Sequence, residues 1–327
     1  MAASWKRFLP DPYIVALVTA VIVASLLPCR GIFATGFGYL TTAAIVLLFF
    51  LHGARLSREA VLAGIGHWRL HLMVLAASFV LFPVLGLAVR AASAGRINPG
   101  IADGLLFLCL LPSTVQSSIA LTAVARGNVA AAVCSASASN LIGIFLTPVL
   151  VGALLGVHGG GVSLKAVQSI VLQLLVPFLA GHFSRPLTAA WLQKRKAIVG
   201  LVDRGSIVLV VYTAFSAAVV EGLWARVSGA DLALILILDA LVLAVMLGVT
   251  TWGARAFGFN KADEVAIVFC GSKKSLASGV PMAGVLFPAA AVGMMIMPLM
   301  IFHQMQLMVC AVLARRYASR PAEPETL

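Results

Sequence analysis

Residues 269–282 read FCGSKKSLASGVPM, with the adjacent lysines Lys273 and Lys274 set between the apolar flanks DEVAIVFC (263–270) and LASGVPMAGVLF (276–287). If this is a surface loop, the lysines are ordinary. If it is the middle of a membrane span, they need a reason to be there. The rest of the chain decides between the two. Of 327 residues, 61% are hydrophobic and only 10% charged, and the mean hydropathy is +1.07. A soluble domain carries about 25% charged residues, and its core cannot absorb this much apolar side chain. The apolar residues also fall in long runs separated by short charged or Gly/Pro-rich breaks, and a helical span needs about 20 such residues. The chain therefore reads as an all-α integral membrane protein.

Ten spans are expected, near 12–29, 36–54, 70–91, 100–125, 128–156, 163–184, 198–220, 230–254, 262–287 and 289–314. The net charge of +12 then belongs to loops on the cytoplasmic side rather than to nucleic-acid binding. With the N-terminus inside, the inner segments hold 15 of the Lys and Arg residues, including Lys6, Arg7, Arg58, Lys194, Arg195 and Lys196. The outer segments hold Arg30, Arg90, Arg96, Lys165 and Arg226. This asymmetry places both termini in the cytoplasm, in a bacterial-type inner membrane. Five cysteines without CxxC spacing indicate neither zinc nor a disulfide framework. The N-terminal MAASWKRFLPDP reads as lacking a cleavable signal, because the apolar run after it continues as a full span. No cofactor or metal is expected.

The fourth span is interrupted by LLPSTVQSSIA and the ninth by CGSKKSLASG, about 160 residues apart, close to half the chain. Five spans per half is an odd number, so two related halves must sit in opposite orientations. Paired broken helices in inverted halves point to a transporter binding site. Backbone freed from helix at membrane depth is tolerated where it is buried in protein or lines a cavity. Spans 1–5 (within 1–184) form the first repeat, and 198–314 complete the second. The stretch 185–197, RPLTAAWLQKRKA, reads as an amphipathic inner linker or an ordinary positive-inside loop, and 315–327 as a cytoplasmic tail.

The run LPSTVQSSIALTAVARGNVAAAVCSASASNLIGIFLTP (111–148), followed by FCGSKKSLASGVPMA (269–283), resembles the bile acid:sodium symporter family, and most of all its branch of sodium-dependent transporters. The resemblance implies a core domain of spans 3–5 and 8–10, a panel domain of spans 1, 2, 6 and 7, and a crossing of helices 4 and 9 at their breaks. It implies alternating-access transport of organic anions. Departures from the family pattern accompany it. Ser117 and Ser118 stand where the sodium-driven members carry a serine–asparagine pair. Aligned on Gly127 and Asn128, the hydroxyl ligands of the fifth helix fall on Ala132 and Ala136. The glutamate of the ninth helix has no counterpart in VFCGSKKS. Sodium wants several hard oxygens and a nearby negative charge, so sodium is doubtful here and proton coupling is the alternative.

A lysine at the bilayer centre costs about 2.5–3.5 kcal/mol on insertion scales and usually faces a cavity or pathway. Neighbours on a helix point about 100° apart, so Lys273 and Lys274 have different jobs. One replaces a cation and the other attracts the solute, or both are struts paired with carboxylates or carbonyls. Asp239, mid-span in LILILDALVLAVM, is the acid expected to pair with one of them. Such a pair also suits a proton-coupled carrier, since burial makes the charge of each group conditional on the other. Ser113, Thr114, Gln116, Ser117 and Ser118 at the first break are expected to cap the half-helices or line the site, with Ser272 and Ser275 doing the same at the second. In the fifth span, Ser135, Ser137 and Asn140 line the site, or the serines simply permit close packing. Asp203 and Arg204 read as structural, and His303 is the one histidine deep in a span.

The expected function is secondary active, symporter-type transport of an organic, anionic solute. The alternatives are a metalloid or soft-anion efflux permease, which would need a thiol from Cys109, Cys134 or Cys270, and a regulatory membrane protein without flux. An enzyme is disfavoured, since no GxSxG, HExxH or paired-carboxylate motif occurs. The expected partners are the lipid bilayer and a small organic solute.

Overall fold

The computed structural model describes residues 12–55, 67–156, 168 and 171–320. Lys6, Arg7, Arg58, Lys165 and the opening of the expected sixth span (163–167) lie outside the described residues, as does the tail from 321 onward. All regular structure among the described residues is helical. Among the described residues, six helices are long and apolar enough to cross a membrane by length and composition: Gly31–Arg55, Trp68–Ser93, Val129–Leu155, Lys196–Val220, Gly229–Ala256 and Ala289–Ala318.

In chain order the elements are α1 (Pro12–Leu26), α2 (Gly31–Arg55), α3 (Trp68–Ser93), α4 (Pro99–Leu110), α5 (Gln116–Val124), α6 (Val129–Leu155), α7 (Val176–Lys194) and α8 (Lys196–Val220). They continue with the single turn α9 (Leu223–Arg226), then α10 (Gly229–Ala256), α11 (Lys261–Gly271), α12 (Leu276–Leu286) and α13 (Ala289–Ala318). The runs expected as the fourth and ninth spans are each two shorter helices, α4/α5 and α11/α12, separated at 111–115 and 272–275. The stretch 185–194 forms no element of its own. It continues α7 through Pro186 to Lys194, and the chain turns only at Arg195, whose guanidinium lies over the Trp191 ring.

The chain divides into two compact units. Of the described residues, the first holds 12–55, 168, 171–228 and 280–294, and the second holds 67–156, 229–279 and 295–320. In the first, α2 packs on α7 where two glycines meet backbone. A Cβ on Gly53 would collide with the Phe178 carbonyl, and one on Gly181 with the Phe50 carbonyl. Small residues at a helix interface let backbones approach closely in a membrane, where burial of apolar surface gives little drive to associate. Asp203 is buried here and paired with Arg55 at 2.5 Å, while Arg204 lies over the Tyr13 ring.

In the second unit, three asparagines start helices. Asn98 Oδ1 accepts from the Gly100 amide, Asn128 Oδ1 from that of Ala131 and Asn260 Oδ1 from that of Asp263, each satisfying one of the free amides at a helix start. Asn128 also donates from its backbone to the Ala262 carbonyl and from Nδ2 to Asp263, which ties the start of α6 to the start of α11. At that end of the unit, buried Glu264 receives Arg255, Lys261 and the Tyr317 hydroxyl at 2.7–3.1 Å. There Arg69 reaches the Phe257 carbonyl and Arg320 the Ala125 carbonyl. Arg69, Arg255, Lys261 and Arg320 thus gather at one end of this unit.

Candidate functional site

A broken helix leaves the last carbonyls of its first half without donors, and at membrane depth each must find one inside the protein. At the first break, α4 ends at Leu110 and Pro112 follows, with no amide to offer. The Leu110 carbonyl receives the Thr147 hydroxyl (2.8 Å) and the Pro112 carbonyl receives the Ser275 amide (3.0 Å). Those of Cys109 and Leu111 receive the ammonium of Lys274 at 3.0 and 2.6 Å. The amide of Ser113, which would have closed the helix onto Cys109, donates to Ser139 Oγ (3.0 Å).

At the second break, α11 ends at Gly271. The Ser272 hydroxyl turns back to the Val268 carbonyl (2.6 Å), Ser118 donates to the Phe269 carbonyl (2.8 Å) and Ser113 to the Cys270 carbonyl (2.5 Å). The backbone N–H and C=O of Lys274 are both held by the Gln306 side-chain amide at 2.9 Å, and Gln306 in turn contacts His303. Ser275 starts α12, its Oγ accepting from the Ser278 amide, while the Ser278 hydroxyl donates to Asn140 (2.8 Å). Each break therefore supplies donors to the carbonyls of the other.

The two lysines go to different places, and both are fully buried. The Lys274 ammonium uses all three of its donors on carbonyls, of Cys109, Leu111 and Ser78 (2.8 Å), with the Phe82 ring centroid 4.0 Å away. Ser78 is available because of the local sequence. In the π turn Ala77–Leu81 the Phe82 amide goes to Ala77 rather than Ser78, and residue 83 is proline, with no amide. Close packing of α3 on α4 brings that carbonyl in: a Cβ on Gly86 would stand 2.7 Å from Cys109 Cβ. Lys273 has a poorer set of partners. Its ammonium makes one long hydrogen bond, 3.3 Å to Ser117 Oγ, and lies 5.7 Å from the Phe269 ring centroid.

The expected pairing of Asp239 with these lysines is not present. The Asp239 side chain is fully buried on α10 with no hydrogen bond to either oxygen, and the Phe302 amide faces it outside hydrogen-bond geometry. The physical reason is that carbonyls freed by one helix end and a π turn saturate Lys274, while Lys273 turns toward the first break.

Thr114, Ser117 and Ser118 form one hydroxyl cluster, with Thr114 Oγ1 2.9 Å from both Ser117 Oγ and Ser118 Oγ, while the Ser113 hydroxyl goes to the Cys270 carbonyl. Gln116, the first residue of α5, is exposed and outside that cluster. Along α6, Ala132 and Ala136 pack with Ile267 and Cys270 of α11, so the side facing the second half-helix is apolar. Ser135 is buried, its hydroxyl 2.6 Å from His71 Nδ1. Ser137 is half-buried, and Asn140 joins the second break through Ser278. Ser272 serves its own helix end. The contributions of Ser78, Gln306 and Ser278 were not anticipated. A polar residue five positions before a proline (Ser78, Pro83) and the HQMQ run in the last span are the signals that mark the first two.

A family model described as "SBF-like CPA transporter family (DUF4137)" matches residues 11–319. The chain is 57% identical to the Escherichia coli (strain K12) protein named "Putative symporter YfeH", over 94% of this chain and 92% of that protein. It is 58% identical to "Uncharacterized protein PA2026" of Pseudomonas aeruginosa, over 97% and 96%. It is 29% identical to "Sodium/bile acid cotransporter 7" of Rattus norvegicus, over 94% and 92%.

Proposed function

The chain belongs to the SBF-like CPA transporter family, whose relatives include bile acid:sodium symporters, and from that premise we propose that it is a secondary, symporter-type carrier of an organic anion. The observation that carries the anionic substrate is Lys273. A fully buried ammonium with one hydrogen bond of 3.3 Å, and no ion pair to any described residue, is undersatisfied. Intramembrane charges of this kind face pathways and substrates by default. The group stands at the break where Thr114 and Ser117 add hydroxyls that, released from their bonds within the cluster, can donate to a carboxylate, sulfonate or sulfate. In this conformation the group is closed off, and alternating access opens it to one side of the membrane and then the other.

Ten spans in two inverted repeats, with both termini cytoplasmic, are the architecture this reading takes. Six long apolar helices, two broken ones and the gathering of Arg69, Arg126, Arg255, Lys261 and Arg320 toward one end of the second unit support it. Sodium has no part in the reading. The second break carries two lysines whose ammonium groups stand against the first, and an ammonium about 4 Å from a sodium ion repels it by roughly 4 kcal/mol at an effective dielectric of 20. Proton exchange is the coupling it admits.

The test is a screen of organic anions by thermal shift on the purified protein, since a bound ligand stabilises the folded state by mass action. A carboxylate- or sulfate-bearing solute is expected to raise the wild-type Tm saturably and to lose most of that effect with Lys273→Gln. Equal shifts in wild type and a folded Lys273→Gln variant would remove the lysine from the reading.

A further inference from the structure

We infer that the ammonium of Lys274 is a tethered monovalent cation occupying a receptor of its own, one that binds a free primary ammonium once the side chain is cut away. The receptor consists of the carbonyls of Ser78, Cys109 and Leu111, at 2.8, 3.0 and 2.6 Å, with the Phe82 ring on a further side at 4.0 Å. Three acceptors match the three N–H donors of an –NH3+ group, and an aromatic face attracts a cation through its quadrupole.

The receptor is a product of the backbone, which is why it outlasts the loss of the lysine side chain. Cys109 and Leu111 sit at the C-terminal end of α4, where the helix dipole concentrates partial negative charge and unpaired carbonyls collect. The Ser78 carbonyl is freed by the π turn and by Pro83, neither of which depends on residue 274. The backbone of Lys274 has its own anchor in Gln306, which holds both its amide and its carbonyl. The break at 272–275 is therefore fixed from two sides, by Gln306 on the main chain and by the receptor on the ammonium. Cutting the side chain removes only the second.

The consequence for the protein is that it carries the cation for this site covalently. The contact between the second break, α3 and the end of α4 holds with no ion taken from solution, whatever solute Lys273 meets. This inference concerns folding and cation binding, so it stands or falls separately from the transport reading.

The experiment is chemical rescue. Lys274→Ala and Lys274→Gly are purified with and without n-propylammonium, and Tm is measured at constant ionic strength. The arms are n-propylammonium, tetramethylammonium, sodium and potassium. The expected result is a lowered Tm for both variants, raised saturably by n-propylammonium and not by tetramethylammonium, which has no N–H to donate. The wild type is expected to show no response to any of the four. Recovery of folded variant only when n-propylammonium is present counts as the same result. The inference is overturned if neither variant responds to n-propylammonium, or if neither can be recovered with it any better than without. It is also overturned if sodium or potassium stabilises the variants as much as the amine does, or if the wild type responds equally.

Discussion

At the 111–115 break the side chains that reach across to the other broken helix are hydroxyls, Ser113 and Ser118. At the 272–275 break the side chain that reaches stranded carbonyls is Lys274, whose ammonium takes those of Cys109 and Leu111, while the Lys273 ammonium crosses only to the Ser117 hydroxyl. Both meet the same need, donors for carbonyls stranded at the end of a half-helix. They meet it with different numbers of bonds and different charge. Each serine gives one neutral hydrogen bond to one carbonyl. The lysine gives three charge-assisted ones to carbonyls from two helices, and charge-assisted bonds are roughly twice as strong. The two breaks therefore share a geometry and should differ in how much of the fold hangs on a single side chain.

The largest effect is expected from Lys274→Met, which keeps the length and removes the donors. Three buried carbonyls would lose their partner at once, and breaking a buried charged contact of this kind costs about 3–5 kcal/mol. Thermal or denaturant unfolding in detergent should show it as a Tm drop larger than that of any single hydroxyl deletion. If Lys274→Met unfolds no earlier than Ser113→Ala, the contrast between the breaks is wrong.

An intermediate loss is expected from Ser113→Ala and Ser118→Ala. Each strands one buried carbonyl of α11, at about 1–3 kcal/mol. The two serines act on adjacent carbonyls of one helix end, so the double variant should depart from additivity by about 0.5 kcal/mol or more. Strict additivity would show that the two bonds form independently of the break.

The smallest effect is expected from Asp239→Asn. Its carboxylate has no hydrogen bond to lose, and an unpaired buried acid is a cost to the fold, so the amide should leave stability unchanged or raise it. Combined with Lys274→Met it should couple by less than about 0.5 kcal/mol, since no hydrogen bond joins the two side chains. A coupling of several times that size would restore the ion pair expected from the sequence.

The sequence was sufficient for the class of protein and for the position of both breaks. Long apolar runs can fold only as helices in lipid, where every amide must bond within its own segment. Polar, Gly- and Pro-bearing strings such as LLPSTVQSSIA and CGSKKSLASG interrupt those runs visibly. It also separated the directions of Lys273 and Lys274, because adjacent residues cannot face the same way. Their partners were not legible. A carbonyl carries no residue identity, so nothing in the letters Ser78, Cys109 and Leu111 announces an ammonium receptor. Asp239 looked like the natural partner because sequence reasoning pairs charge with charge, yet the tertiary structure met the charge with helix ends. The register of α6 was likewise settled only in three dimensions. Ala132 and Ala136 face α11 while Ser135 turns to His71, a choice made by packing across helices far apart in the chain.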